Sequence, residues 1–236
     1  MRFLIFLFLI IFPVISFSQT ADELIISGTE NYAHQNYTQA IADFSKAIKL
    51  TPDDAEPYIL RNLCYFRMEN FDVVIQDASL MMKKYPNFPD IHIARAYAFS
   101  MIGNMSSAIK DYSKAIELSP NDASFYYTRA TAYSVSEDAS KAVTDFSKAI
   151  ELDSMDADFY YNRGLGLETM GRYEEAIADY TKVIELDSED SESYFNRGIS
   201  YKMLKSDEAA CKDFKRAAEL ENEKAKVLLE QFCMKD

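Results

Sequence analysis

The chain has 236 residues, of which 48% are hydrophobic, and this is enough apolar material for one continuous core. Its 25 Lys and Arg stand against 38 Asp and Glu, which gives a net charge of −13. A surface this acidic repels the phosphates of nucleic acids and anionic lipids, which argues against both as partners. No stretch rich in Pro, Gly and Ser interrupts the chain, so we expect no linker between separate domains.

Residues 1–18 have the pattern of a secretory signal peptide. Arg2 precedes the apolar run Phe3–Ile15, and small residues follow at Ser16 and Ser18. The alternatives are an uncleaved membrane anchor or a buried helix, but the run is shorter than the roughly 20 residues that span a bilayer. We therefore expect export to the periplasm or cell envelope, or full secretion, with no stable membrane insertion after cleavage.

An eight-residue motif recurs along the rest of the chain at a fixed interval. It reads DFSKAIKL from Asp43, DYSKAIEL from Asp111 and DFSKAIEL from Asp145. Its leading Asp returns every 34 residues, at Asp43, Asp77, Asp111, Asp145, Asp179 and Asp213. Six copies without insertion or deletion predict a repeat architecture in which every unit has the same shape.

One copy, residues 157–190, indicates the structure of a unit. Tyr160, Gly164 and Leu167 are three and four residues apart, which is typical of one face of a helix. Gly171 can take the left-handed conformation that ends this helix, and a second run with helical spacing follows it. Each unit is therefore predicted to be two antiparallel amphipathic helices. The six units are residues 21–54, 55–88, 89–122, 123–156, 157–190 and 191–224.

These units resemble the tetratricopeptide repeat, a helix–turn–helix with aromatic and small residues at set positions. The fourth copy supplies the residues expected at positions 4, 8, 11, 20, 24 and 27, which are Tyr126, Ala130, Tyr133, Ala142, Phe146 and Ala149. The second copy departs from the pattern at Val74, Ala78 and Met81, and the third has His92 at its first aromatic position. The resemblance implies an all-α fold, a right-handed superhelical α-solenoid of six antiparallel helix pairs. Residues 225–236 are predicted to form a C-terminal capping helix.

Charged residues recur on both helices of the predicted pairs. Every copy carries Asp at position 23, and five copies carry Arg at position 7. Arg can pair with a carboxylate through two parallel hydrogen bonds, so we interpret these residues as structural rather than as an anion-binding track. We predict that each Asp reaches the Arg of the next repeat and so joins the two repeats. The predicted pairs are Asp43–Arg61, Asp77–Arg95, Asp111–Arg129, Asp145–Arg163 and Asp179–Arg197.

The chain has three cysteines, Cys64, Cys211 and Cys233. A disulfide is permitted in an exported protein, and Cys211 and Cys233 lie on what are predicted to be the last two neighbouring helices. These two cysteines are therefore a candidate disulfide; the alternative is that all three are small core residues. Cys64 would be the odd thiol, and we expect it to be buried.

The motifs give no support for catalysis. The two histidines, His34 and His92, have no nucleophile and carboxylate at a recognisable spacing, and HExxH, CxxC and phosphate-binding Gly-rich motifs are missing from the sequence. We expect no enzymatic activity, no cofactor and no metal site. Two alternatives stay open. One is a thiol-dependent or hydrolytic enzyme on a helical frame, which would need a reactive Cys64, and the other is a solenoid whose ends stack on one another.

The resemblance implies that first-helix residues build a concave groove for a protein or peptide partner. The candidate groove residues are Tyr97, Tyr127, Tyr161, Asn162, Leu165, Phe195, Asn196, Asp90, Asp158 and Glu192. Aromatic rings give contact area at low entropic cost, and Asn can bond a peptide backbone. The carboxylates should repel an acidic C-terminal tail and favour apolar or Lys- and Arg-bearing segments. We expect a non-enzymatic interaction scaffold; the alternative is that these rings only cover the inner surface.

Overall fold

A computed structural model describes residues 19–233. The predicted signal peptide, residues 1–18, and the last three residues of the predicted capping helix lie outside the described residues. The described part of the chain forms thirteen α-helices and a short π-helix, and it contains no β-strand. The helices are α1 Ala21–Ala33, α2 Tyr37–Leu50, α3 Glu56–Arg67, α4 Phe71–Lys84, α5 Pro89–Met101, α6 Met105–Leu118, α7 Ala123–Val135, α8 Ala139–Leu152, α9 Ala157–Thr169, α10 Tyr173–Leu186, α11 Ser191–Met203, α12 Asp207–Glu219 and α13 Glu223–Leu228, followed by the π-helix Leu229–Cys233.

The chain divides into two compact units, Met1–Met68 and Glu69–Asp236. In the first unit, α2 packs against both α1 and α3. In the second unit, each helix from α4 to α12 packs against the helix that follows it. Short turns join these neighbours, so they run antiparallel. The predicted fold class, an all-α solenoid of helix pairs, is confirmed.

The turn inside each repeat contains a left-handed residue at position 15. Gly171 has a φ of 72°, as the sequence predicts, and Gly103 has a φ of 79°. The N–H of Gly171 donates to the Glu168 carbonyl and that of Arg172 to the Leu167 carbonyl, which satisfies the end of α9. The other four repeats place a residue with a side chain in this conformation, namely Gln35, Glu69, Glu137 and Lys205. These four positions bear a strain that glycine would avoid.

We predict that Glu137→Gly raises the free energy of unfolding by about 0.5 to 1 kcal/mol, because relief of left-handed strain exceeds the added chain entropy of glycine. Gly171→Ala should lower the free energy of unfolding by about 1 kcal/mol. Chemical denaturation followed by circular dichroism measures both changes. Ser136→Gly is the control, because Ser136 has a φ of −86° and gains nothing from glycine. A less stable Glu137→Gly variant would contradict the strain argument.

Glycine at position 8 lets the two helices of a repeat approach closely. A Cβ added to Gly164 would lie 2.8 Å from Cε1 of Tyr180, and one added to Gly198 would lie 2.7 Å from Cε1 of Phe214. Both rings are fully buried. The alternation of small and aromatic residues that identifies the repeat in the sequence is therefore the packing contact inside each helix pair.

In the third to sixth repeats, the arginine at position 7 binds the aspartate at position 23 of the same repeat. Arg129 donates from Nε to Oδ2 of Asp145 over 2.7 Å and from Nη2 to Oδ1 over 2.8 Å. Its Nη1 donates to Oγ of Ser113, in the preceding repeat, over 3.0 Å. We call this set the arginine brace. The same set recurs at Arg95, Arg163 and Arg197.

The predicted Asp–Arg pairing is therefore wrong for Arg95, Arg129, Arg163 and Arg197. Arg95, Arg129, Arg163 and Arg197 bind Asp111, Asp145, Asp179 and Asp213 rather than Asp77, Asp111, Asp145 and Asp179. In the first repeat, Asp43 accepts from Ser27 Oγ over 2.9 Å and from Asn31 Nδ2 over 3.1 Å, and Arg61 donates to Ser45 Oγ over 3.2 Å.

The helix geometry explains the error. Positions 23 and 25 are about 200° apart around the second helix, so Asp faces its own first helix and the Ser or Thr hydroxyl faces the next repeat. In DFSKAIKL, the serine rather than the aspartate makes the contact between repeats.

We predict that Arg129→Ala lowers the free energy of unfolding by about 3 kcal/mol, because Asp145, only 5% exposed, loses its bidentate partner. Arg129→Lys should have an intermediate effect, since Lys keeps the charge but not the planar fork. Arg172→Ala is the control: it removes an exposed pair with Glu175 and should cost less than about 1 kcal/mol. Equal losses for the two alanine variants in guanidinium denaturation would show that the brace is not structural.

The C-terminal cap packs on α12. Helix α13 begins at Glu223, before the predicted start at residue 225, because the Asn222 side chain accepts from the N–H of Ala225 over 3.0 Å and caps the helix. The π-helix that follows ends at Cys233. In the structure Cys233 forms a disulfide with Cys211 of α12, and their Cα atoms are 5.6 Å apart. The cap is thus held to the last repeat by packing and by a covalent link.

Candidate peptide-binding groove

The predicted groove residues lie on α5, α7, α9 and α11, all in the second unit. Among the apolar members, Tyr97 is 46% exposed and Leu165 is 37% exposed. Asp90 and Asp158 are exposed in the first turns of α5 and α9. The aromatic residues at position 5 are half-buried, one on each of α7, α9 and α11: Tyr127, Tyr161 and Phe195.

The position-5 rings are supported by aromatic residues of the second helices. The centroid of Tyr127 is 5.8 Å from that of Phe146, and the centroid of Tyr161 is 6.0 Å from that of Tyr180. Phe195 makes the equivalent contact in the sixth repeat, also at 6.0 Å. Rings held in this way have little conformational freedom left to lose when a partner binds.

The two groove asparagines bind tyrosines of the preceding repeat. Nδ2 of Asn162 donates to the Tyr127 hydroxyl over 3.4 Å, and Nδ2 of Asn196 donates to the Tyr161 hydroxyl over 3.1 Å. The amide nitrogens that were expected to bond a peptide backbone therefore serve the scaffold. The sequence carried a signal for this contact, because Tyr and Asn recur 35 residues apart, but their pairing was not predicted.

Carboxylates surround the Tyr161 ring. A depression of about 340 Å³ is lined by Tyr161, Ala157, Val183, and the four carboxylates of Asp158, Asp187, Asp190 and Glu192. Burial raises the pKa of Tyr161, and the nearby charges of Glu192 and Asp190 raise it further. The tyrosine hydroxyl therefore stays neutral at physiological pH, and the charge around this depression is negative.

The capping helix places a lysine beside two of the predicted groove residues, Phe195 and Glu192. Nζ of Lys224 lies 5.7 Å from the centroid of the Phe195 ring and 3.5 Å from Oε2 of Glu192. Nδ2 of Asn222 donates to Oε1 of Glu192 over 3.1 Å. Sequence reasoning missed this contact. The available signal was the residue at position 34, which is Asp in four repeats and Lys in the sixth.

Glu168 is a second residue that sequence reasoning missed. It lies at position 12 on α9 and is half-buried, and the Ser200 hydroxyl donates to its Oε1 over 2.5 Å. Burial raises the pKa of Glu168 above that of an exposed glutamate. Because Ser200 is on α11, this hydrogen bond is a further link between the first helices of adjacent repeats.

The repeat pattern and the packing agree with comparisons with known families. Models described as Tetratricopeptide repeat match residues 157–190 and 191–224, and one described as TPR repeat matches residues 102–134 and 137–171. Together these matches cover just over half of the chain. The chain belongs to the tetratricopeptide repeat family.

Solved structures of other proteins have the same fold, and two of them are described as TPR proteins. MamA is 28% identical with a TM-score of 0.64, over 69% of this chain and 95% of that one. YrrB, described as a TPR protein with an unusual peptide-binding site, is 18% identical with a TM-score of 0.71, over 80% and 97%. The C-terminal part of a TPR protein from Cytophaga hutchinsonii is 18% identical with a TM-score of 0.73, over 83% and 78%. No curated protein matches the sequence.

Cys64 has the surroundings of a core residue in this tetratricopeptide repeat protein. It packs with Ala40 and Phe44, and burial raises the pKa of its thiol to about 11. The thiolate is the nucleophilic form, so a thiol with this pKa is a poor nucleophile near neutral pH. His92 is also buried, with Nε2 3.3 Å from the Pro86 carbonyl oxygen. Over residues 19–233, no cluster of three or more His, Cys, Asp and Glu suits a metal ion, and no helix has the length and apolar character to span a membrane.

We predict that the folded protein has no rapidly reacting thiol in a DTNB assay, because Cys64 is buried and Cys211 and Cys233 are bridged. One thiol should react in guanidinium without reductant, and three should react after reduction. Cys64→Ala is the control and should show no thiol until reduction. Rapid reaction of Cys64 in the folded protein would favour the thiol-enzyme alternative, and three thiols before reduction would rule out the disulfide.

Proposed function

We propose that this protein is a non-enzymatic scaffold that binds an extended segment of a partner protein in its groove. The segment carries apolar side chains together with Lys or Arg. The observation that carries the proposal is the row of half-buried rings at position 5 of successive repeats, bordered by carboxylates. Each ring has one side held by the core, so it can offer apolar contact at a low entropic cost.

The charge of the groove supports a basic rather than an acidic partner. Asp90, Asp158 and Glu192 occupy position 2 on the first helices of three repeats. An acidic C-terminal tail placed along these helices would meet like charge, which lowers both the association rate and the affinity. A segment with Lys or Arg meets complementary charge at the same positions.

The comparisons support the scaffold rather than the identity of the partner. YrrB is described as having a peptide-binding site. We extend peptide binding to this chain because its own first helices present aromatic residues and carboxylates. The buried Cys64, with its raised pKa, lends no support to a thiol enzyme.

We further propose that the protein acts after export, in the periplasm or cell envelope or outside the cell. The pattern of residues 1–18 supports cleavage before Gln19, and a disulfide between Cys211 and Cys233 suits an oxidising compartment. The mature chain would then be residues 19–236.

Affinity capture from cell-envelope extract with the mature chain tests the groove. The test variant combines Tyr127→Leu, Tyr161→Leu and Phe195→Leu, which removes the ring faces and keeps apolar bulk against the core. We predict that the parent captures a partner that this variant, confirmed folded by circular dichroism, loses. Capture of the same partner by both proteins, or by neither, would contradict the groove proposal.

Two charge variants sharpen the test of the captured partner. Asp90→Asn, Asp158→Asn and Glu192→Gln remove the groove carboxylates and should weaken binding on the order of tenfold at low salt. The matched control removes three exposed carboxylates from second helices, at Glu117, Glu151 and Glu185. The control has the same net charge and should bind within about twofold of the parent, because these side chains lie outside the groove. An equal loss of affinity in both variants would mean that the partner responds only to the net charge of the protein and not to the groove carboxylates.

A further inference from the structure

The groove already holds one cation, which comes from its own chain. The ammonium group of Lys224 lies over the Phe195 ring and beside Glu192, although the Lys224 side chain is 68% exposed. Packing does little to restrain a side chain this exposed, so the ring face and the carboxylate are the groups that attract it. This contact is an internal example of a side chain that the groove can bind.

The equivalent place one repeat earlier also has an aromatic ring and a carboxylate, but it has no lysine in the described part of the chain. Tyr161 and Asp158 stand 34 residues before the ring and the carboxylate that contact Lys224. Asp190 stands 34 residues before Lys224 itself. The fifth repeat therefore adds a negative charge where the sixth adds a positive one. Neither Lys nor Arg is among the described residues that line the depression beside Tyr161.

Asp158 is the carboxylate of this depression that is most available to a partner. Asp187 accepts from the N–H of Glu189 over 2.9 Å, and Asp190 accepts from the N–H of Ser193 over 3.3 Å. The exposed carboxylate of Asp158 makes no such bond to a described residue. It occupies the position that Glu192 has in the contact with Lys224.

We propose that the depression beside Tyr161 is a subsite for one lysine side chain of the partner segment, with the ammonium group over the Tyr161 ring and paired with Asp158. This inference rests on the proposed function, because the lysine belongs to the segment that lies in the groove. Ala157 and Val183 line the same depression and give the methylene stem of the lysine an apolar contact. The remaining carboxylates add negative potential around the ammonium group.

The subsite belongs to the fifth repeat rather than to the fourth. Tyr127 is the position-5 ring of the fourth repeat, but its position-2 residue is Ser124. A cation over Tyr127 would therefore lack the carboxylate that pairs with it in the sixth repeat. The ring and the carboxylate occur together at Tyr161 with Asp158, where no Lys or Arg of residues 19–233 lines the depression.

Nuclear magnetic resonance with a minimal probe tests the subsite. The amide signals of the mature chain are followed while Nα-acetyl-lysine methylamide is added, and Nα-acetyl-norleucine methylamide serves as the uncharged control. The lysine probe should shift the signals around Tyr161, and the norleucine probe should not. Equal shifts with both probes, or shifts spread over the acidic surface without a maximum at Tyr161, would overturn the proposal.

Variants separate the subsite from general attraction to an acidic protein. Tyr161→Leu and Asp158→Asn should each lower the affinity for the lysine probe about two- to fivefold. The first variant loses the cation–π contact, and the second loses the ion pair. Glu174→Gln is the matched control, because it removes an exposed carboxylate of α10 that does not line the depression. It should leave the affinity within about twofold. Unchanged affinity in Tyr161→Leu and Asp158→Asn would overturn the subsite.

A gain of binding provides an independent test. Lys224→Met removes the internal cation, so a second site for the lysine probe should appear at Phe195 and Glu192. If no second site appears, the internal example on which the proposal rests is wrong.

The outcomes also distinguish this proposal from the proposed function. Loss of partner capture by the ring variant with no binding of the lysine probe would overturn only the subsite. Binding of the probe at Tyr161 with partner capture unchanged in the ring variant would overturn the groove function, and with it the assignment of the bound lysine to a partner segment.

Discussion

The packing of the second unit depends on the hydrogen bonds of the guanidinium group at position 7. Two of its N–H groups bind a buried carboxylate of the same repeat, and another N–H binds a hydroxyl of the repeat before. A buried carboxylate without a partner is costly, so the helix pair is stable only when its Arg and Asp face each other. The hydrogen bond to the hydroxyl fixes the orientation of this helix pair against the preceding one. One side chain thus orients two neighbouring repeats.

The placement of the predicted groove residues follows from the same geometry. Position 5 is two residues before the arginine and about 200° away around the first helix, so the brace and the position-5 rings lie on opposite faces of that helix. Once the braces set the register of α7, α9 and α11, the rings at position 5 recur along one face. The Tyr–Asn hydrogen bonds then link neighbouring first helices on that same face. The cap departs from this pattern, because its helix begins at Glu223 and the residue at position 34 is Lys224 rather than the Asp of four other repeats.

Much of this architecture could be read from periodicity. The 34-residue interval predicted the helix pairs, and Gly171 marked a left-handed turn that the structure contains. The same interval marked the small and aromatic positions, which form the contact inside a helix pair, as Gly198 and Phe214 show. The Asp–Arg partners could not be assigned in this way, because a fixed interval places Asp equally well against the Arg of its own repeat or of the next. The direction of the side chain around the helix decides between them, and spacing along the chain does not report it.

The sequence by itself determined the helix pairs, their number and the residues that lie on the first-helix face, because local periodicity and turn chemistry act within a single repeat. Only the tertiary structure decided the partners: Arg129 with Asp145, Asn196 with Tyr161, and Lys224 with Glu192. These contacts join residues 16, 35 and 32 positions apart. The first two depend on how neighbouring helices are rotated, and the third also depends on where the cap begins. That rotation results from packing many side chains at once, so no short stretch of sequence specifies it.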